Sequence, residues 1–203
     1  MSVRRDFFIE QDDLTIRPMR DGLTDFAVMA RWLTNERVLE FYEGRDNPFP
    51  MVRVQEEFGP RARGEEPVVP CMLVYQDRAI GYLQYYPVTE EDRASYGFAA
   101  TEGLHGLFGV DLFIGEPECW NQGIGTKALS ALVRFLFQDL QAEMLVVDPQ
   151  TWNTRAIRCY EKCGFRRVKL LPRHELHEGA YRDAWLMTIE RAAFLEASAA
   201  PSA

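Results

Sequence analysis

The chain has 203 residues, 47% of them apolar and 27% charged, and a formal net charge of −8. That length and apolar fraction fit one water-soluble domain with a sizeable core, and no apolar run reaches the ~18 residues a membrane-spanning helix needs, so no membrane partner is expected. The acidic balance argues against a nucleic-acid partner, whose binders present a basic face, and is compatible with a cationic substrate.

Met1 to Asp13 is polar and lacks the apolar segment of a signal peptide, which predicts a cytoplasmic protein. Leu14-Thr15-Ile16-Arg17 alternates before Pro18 and reads as a first strand. Residues 23–43 carry apolar side chains at near-helical spacing and predict two helices broken near Thr34-Asn35, with Asn35 as N-cap. Asn47-Pro48-Phe49-Pro50 ends that region, and a further helix is expected from Val52 to Arg61. Cys71–Tyr75 and Ala79–Tyr86, flanking Gln76-Asp77-Arg78, predict a β-hairpin. Residues 88–106 are polar and Gly-bearing and read as a mobile loop, after which Leu107–Ile114 is an apolar strand.

From Gly123 the apolar positions Ile124, Ala128, Leu129, Leu132, Val133, Leu136 and Phe137 mark a helix with one face on a sheet. Met144–Val147 is a short apolar strand of the buried parallel kind. A second helix follows over Asn153–Cys163, closed by Gly164 in the left-handed cap position. Phe165–Leu171 and Ala184–Ile189 read as a closing pair of strands. His174 and His177 fall in a polar stretch between them, read as a solvated loop. Residues 1–192 are expected to form a single domain, with 193–203 as a frayed tail. The cysteines Cys71, Cys119, Cys159 and Cys163 show no disulfide framework; Cys159 and Cys163 lie one helical turn apart, a spacing that suits a metal, but no histidine is close in sequence, so reduced thiols and no metal site are predicted. The outcome is a mixed α/β sheet with Leu107–Ile114 and Met144–Val147 parallel across a right-handed helical crossover.

Trp120-Asn121-Gln122-Gly123-Ile124-Gly125-Thr126-Lys127 joins the apolar strand to the first of these helices. A strand, a Gly-rich turn and a helix N-terminus make an anion cradle of backbone N–H groups, although two glycines could also simply turn the chain. The turn lacks the G-K-[ST] of a nucleotide triphosphate loop and the third glycine of a dinucleotide fingerprint.

One crossover later stands Asn153-Thr-Arg-Ala156-Ile-Arg-Cys-Tyr160-Glu-Lys162-Cys-Gly164-Phe165. The two motifs together resemble the GNAT superfamily of acetyl-CoA-dependent N-acyltransferases, and more closely its aminoglycoside 6'-N-acetyltransferases. The resemblance rests on Ile80-Gly-Tyr-Leu-Gln84, Gly109-Val-Asp111, Gly123-Ile-Gly-Thr-Lys127, Ser130-Ala-Leu-Val, Leu136-Phe137, Asp148-Pro149 and Asn153–Phe165. It implies a mostly antiparallel sheet flanked by helices, with a parallel pair splayed at the acetyl-CoA site. The implied cofactor is acetyl-CoA, with a polycationic acceptor and a monomer or homodimer. Its cofactor residues would be Leu112, Phe113, Ile114, Asn121, Gln122, Gly123, Ile124, Gly125, Thr126, Lys127, Asn153, Ala156, Tyr160 and Lys162. The superfamily usually opens its turn with Arg or Gln where this chain has Trp120, so side-chain contact to pyrophosphate falls to Gln122, Thr126 or Lys127.

The resemblance makes Asp111 the expected base, Asp148 a substrate ligand and Tyr160 the acid. The chemistry agrees. Amine acetylation needs a group to take up the amine proton, donors for an oxyanion and a proton for the departing thiolate. Asp111 lies in an otherwise apolar strand, where a carboxylate must pair or face a cleft. A bound ammonium would favour its charged form, so it is expected to orient the amine and take the proton late, directly or through water. Leu112–Ile114 can offer backbone N–H groups. Asp92, Glu178 and Asp183 are candidate ammonium partners, and Tyr42, Tyr85 and Tyr86 candidate cleft walls. Trp32 and Phe41 could equally be core or cleft. Other readings are an acyltransferase for a siderophore-precursor amine or hydroxylamine, a protein N-terminal acetyltransferase, or a non-catalytic coenzyme A sensor.

Overall fold

The structure is a computed structural model that describes residues 8–98 and 106–199. Eight strands form one sheet: β1 (Ile9–Gln11), β2 (Leu14–Pro18), β3 (Val69–Tyr75), β4 (Arg78–Pro87), β5 (Leu107–Ile114), β6 (Met144–Val147), β7 (Arg166–His177) and β8 (Ala180–Glu190). Their spatial order is β1-β2-β3-β4-β5-β6-β8-β7. Every pairing is antiparallel except β5 with β6. The helices are α1 (Leu23–Trp32), α2 (Glu36–Leu39), α3 (Met51–Arg63), α4 (Glu90–Tyr96), α5 (Ile124–Gln138), α6 (Thr154–Lys162) and α7 (Arg191–Ala199).

One feature of register builds the site. The parallel pair joins Leu107–Gly109 to Met144–Val146 and goes no further, while β5 runs on to Ile114. Beyond Gly109 the two strands part, and the opening wedge lies beneath the N-termini of α5 and α6.

Each face of the sheet has its own core because strand side chains alternate. Leu83 and Tyr85 of β4 point to the face covered by α5, where Ala128, Leu129, Leu132 and Leu136 are buried. Tyr82 points the other way, to a cluster with Phe26, Met29, Trp32 and Phe58 from α1 and α3.

Between β5 and the Gly-rich turn, Glu116 is only 3% exposed. It accepts hydrogen bonds from Trp32 Nε1 (2.8 Å), from Arg78 Nη2 (2.7 Å) and from Arg31. Burial works to raise its pKa, but Arg31 and Trp32 outweigh that and hold the carboxyl below its ordinary value. The knot pins the start of the turn to α1 and β4. Glu116→Ala strands the buried indole N–H, and a loss of about 2–4 kcal/mol in urea unfolding is expected. A loss below about 1 kcal/mol would show the knot to be incidental.

The two helices around Asn35, the helix near 52–61, the hairpin, β5, β6 and the two motif helices fall where the sequence placed them. Asn35 caps α2, accepting from the Arg37 N–H at 3.0 Å. Four segments differ. Of the segment read as a loop over 88–106, residues 99–105 lie outside the described residues, and Glu90–Tyr96 form α4, opened by a capping box in which Thr89 and Asp92 bond reciprocally; α4 buries no residue, so it has no apolar stripe to read. β1 has three residues, too few to show alternation. The closing strands are longer than expected and meet at Glu178-Gly179, so His174 and His177 stand on β7 and not in a loop. β7 begins where Phe165–Leu171 reads as a strand; its extension to His177 is an almost wholly exposed edge, which hides that part from a hydrophobicity reading. The tail expected to fray is helical to Ala199, docked by Phe194 on Phe137 (ring centroids 5.1 Å).

Candidate functional site

The wedge between β5, α5 and α6 encloses a cavity of about 490 Å³. Gly123, at φ +79°, swings the chain into α5, and no side chain caps that helix. Its first backbone N–H groups therefore have no acceptor within the helix and form an anion-binding end. Of the residues expected at a cofactor, Leu112, Phe113, Ile114, Asn121, Gly123, Ile124, Gly125, Thr126, Asn153, Ala156, Tyr160 and Lys162 all line the cavity. Two do not. Lys127 turns away to pair with Asp12 (2.9 Å) and Asp13 (2.8 Å), and Gln122 folds back to donate to the Glu118 carbonyl. Asn153 spends its side-chain oxygen on the Ala156 N–H (3.2 Å), capping α6.

Trp120 is anchored by its indole N–H on the Ile114 carbonyl (2.8 Å), and its ring lies across the cavity mouth. Phe41 stands edge-on to it at 5.9 Å and 5.3 Å from Trp152, so Phe41 belongs to the cleft. Trp32 belongs to the core. Arg155, Arg158 and Cys159 also wall the cavity and were not singled out from sequence. Their signal was present, since all three sit on the motif helix at turns that share a face with Ala156 or Lys162. The Cys159 thiol is held down to about 7, chiefly by a hydrogen bond from Cys163.

Asp111 is half-buried on β5, one residue before the cavity-lining Leu112. Gln84 Nε2 donates to it at 2.6 Å, and Gln84 is itself held by the Tyr82 hydroxyl at 2.7 Å. Burial is the main cause that pushes the Asp111 carboxyl up to about 7. Gln84 and Tyr86 pull the other way, while the negative charges of Asp148 and Glu43 add to the rise. Tyr86 can approach because β5 has glycine at position 109, where any Cβ would strike the Tyr86 ring. Tyr160 is buried, and burial, reinforced by the charge of Asp111, holds its phenol well above the ordinary value.

Asp148, at the end of β6, accepts from the Tyr96 hydroxyl (3.0 Å) and pairs with His174 Nε2 (2.9 Å). That pairing raises the His174 pKa. Glu43 was not anticipated. Burial holds it above the usual carboxylate range, with further repulsion from Glu57 and Glu175. Tyr42 packs against Phe113 (4.6 Å) within reach of the Asp111 charge.

Four expected acceptor residues are placed elsewhere. Tyr85 is fully buried against Phe108 and Phe135 on the α5 side. Asp92 is engaged as the cap of α4. Glu178 grips Arg45, which holds it to about 2. Asp183 accepts the Arg173 backbone N–H (2.8 Å) across the β7–β8 bulge.

The sequence pattern of the acetyltransferase (GNAT) domain matches residues 21–172. Aminoglycoside N(6')-acetyltransferase type 1 of Klebsiella pneumoniae is 33% identical over 156 residues, 77% of this chain and 75% of that protein. N(6)-hydroxylysine O-acetyltransferase of Escherichia coli is 25% identical over 73% of this chain and 45% of its own length. Among solved structures, AAC(6')-Ib in complex with ribostamycin and coenzyme A superposes with a TM-score of 0.72 at 29% identity, covering 94% of this chain and 100% of that one.

Proposed function

Because the chain belongs to the acetyltransferase (GNAT) family, we propose that it transfers the acetyl group of acetyl-CoA to the 6'-amine of aminoglycoside antibiotics, and so confers resistance to them. The observation that carries this is Asp111. It is a carboxylate with a pKa near 7, on the strand that walls the cavity, facing further acid groups that suit a polycation.

The cavity fits the cofactor on its own evidence, with an uncapped helix end at one side and cationic side chains of α6 at the other. When bound, acetyl-CoA supplies an acetyl thioester open to attack by an amine. Asp111 orients the ammonium of the acceptor and takes up its proton, directly or through one water; a pKa near 7 makes it a far better base than an ordinary aspartate. Tyr160 remains a protonated phenol at neutral pH and donates its hydroxyl proton to the departing sulfur. The backbone of Leu112–Ile114, beyond the reach of β6, offers N–H groups to the thioester carbonyl. Asp148, Glu43 and Tyr42 bind the aminosugar. A single domain acting in the cytoplasm, as monomer or homodimer, belongs to the same reading.

Release of free thiol from acetyl-CoA tests it, with kanamycin, tobramycin, a hydroxylamine and a peptide N-terminus as acceptors. Turnover with the aminoglycosides, and raised kanamycin tolerance of a host expressing the protein, are expected. Turnover confined to the hydroxylamine, or binding of acetyl-CoA without any turnover, would replace this reading with the siderophore-type enzyme or the sensor.

A further inference from the structure

The half-buried arginines Arg17, Arg53 and Arg61 each hold a carboxylate, namely Asp25, Glu57 and Glu66. Arg155 is half-buried as well, yet no ion pair or side-chain hydrogen bond engages it among the described residues. Its guanidinium lies over two rings, 4.0 Å from the centroid of Trp120 and 4.4 Å from that of Phe41. Burial drags its pKa down, and Glu40 opposes this only through space. A guanidinium taken partly out of water keeps unmet donors along its edge. Cation–π contact with two rings set at 87° to each other offsets part of that loss and confines the guanidinium to their corner, leaving its N–H donors without a protein acceptor among the described residues.

The position of that fork gives it a purpose. Arg155 follows the N-cap Asn153 by two residues, so it projects from the first turn of α6. It walls the same cavity as Gly123, Gly125 and Thr126 at the uncapped start of α5. Arg158 and Lys162 line the cavity from later turns of α6, so the wall opposite α5 is cationic in a chain of net charge −8. The turn offers no cationic side chain to the cavity, and its Thr126 hydroxyl is turned to Cys159 Sγ (3.5 Å). Trp120 holds the leading position, Lys127 is bound to Asp12 and Asp13, and Gln122 folds back on Glu118.

We propose that Arg155 is the phosphate-binding side chain of the cofactor cavity. Supplied from α6 and held in the corner between Trp120 and Phe41, it does the work that a cationic side chain of the turn does not. Trp120 is thereby the platform for Arg155. The inference rests on the acetyl-CoA reading and adds to it which residue recognises the charged end of the molecule. A fork aimed at phosphoryl oxygens makes paired, charge-assisted hydrogen bonds, which a lysine point charge does not reproduce.

Calorimetric titration of the parent, Arg155→Ala and Arg155→Gln with coenzyme A, dephospho-coenzyme A and pantetheine decides the matter. Arg155→Gln keeps a stackable amide, in case the alanine variant unfolds, and thermal melting verifies both folds. Both variants are expected to bind coenzyme A about 10- to 100-fold more weakly and pantetheine as the parent does. An equal loss with dephospho-coenzyme A assigns the pyrophosphate as partner; a loss confined to coenzyme A assigns the 3'-phosphate. Unchanged coenzyme A binding, or equal losses for coenzyme A and pantetheine, would overturn the proposal while leaving the enzyme reading intact. Failure of the parent itself to bind coenzyme A would instead bring down the enzyme reading.

Discussion

Asp111→Asn is expected to lower kcat/KM for an aminoglycoside by about 10²- to 10⁴-fold, the span general-base removal typically covers. The asparagine fits the same space beside Gln84 and Tyr86 but cannot take up a proton. The pH profile carries the sharper test. Asp111 must be ionised to act, so kcat/KM of the parent should fall with unit slope as pH drops below about 7. Asp148 raises the pKa of His174, a second titrating group beside the site, so His174→Gln is the control and should retain that limb. The kcat profile should break at lower pH, because a bound ammonium favours the charged carboxylate.

The same carboxyl makes a stability prediction of opposite sign. Its folded pKa, about 7, lies above the ordinary aspartate value. Between those two values the folded chain keeps a proton the unfolded chain has lost, so stability falls as pH rises through that window. At pH 8 the ionised Asp111 works against the fold in full. Asp111→Asn should then be more stable than the parent by on the order of 1–3 kcal/mol, after discounting the poorer hydrogen bonds of the amide. The advantage should shrink toward pH 5. Loss of turnover with a rise in melting temperature at pH 8 is the signature of a functional carboxylate. Turnover within about threefold of the parent, with the same pH limb, would remove Asp111 from the mechanism.

Tyr160→Phe is expected to lower kcat by about 10²-fold while changing coenzyme A affinity little. The variant keeps the ring that packs on Phe165 at 5.8 Å and loses only the hydroxyl proposed as the acid. Because the phenol is held well above its ordinary pKa, it stays protonated through neutral pH. The loss should therefore be nearly constant across that range, unlike the loss at Asp111. Stopped-time assays giving kcat and KM separately check this. A change in KM with kcat preserved would assign Tyr160 to binding alone.

Much of the site was written locally. α5 and α6 each present one apolar face to the sheet, so their period could be read directly, and with it the turn at Gly123 and the left-handed Gly164 that closes α6. Asp111 was legible because a carboxylate in an apolar strand contradicts its surroundings. α4 and the extension of β7 beyond Leu171 were not legible, since one buries nothing and the other is an exposed edge. Asp92, Glu178 and Asp183 show the limit on the acceptor side. Their charge was visible, but whether a carboxylate is free depends on Thr89, Arg45 and the Arg173 backbone.

Tyr85 and Tyr86 put the division most plainly. By itself the sequence determined the order of the elements from β2 onward apart from α4, together with the Gly-rich anion cradle and the Asn153–Phe165 helix, because propensity, capping and hydrophobic period act within one segment. Only the tertiary structure decided that Tyr85 enters the core while Tyr86 reaches Asp111, that Glu43 joins the acid groups, and that Arg155 lies on Trp120 with no carboxylate to hold it. Those outcomes depend on which face of a strand meets which layer and on pairings between residues far apart in the chain, and both are set by packing of the whole sheet.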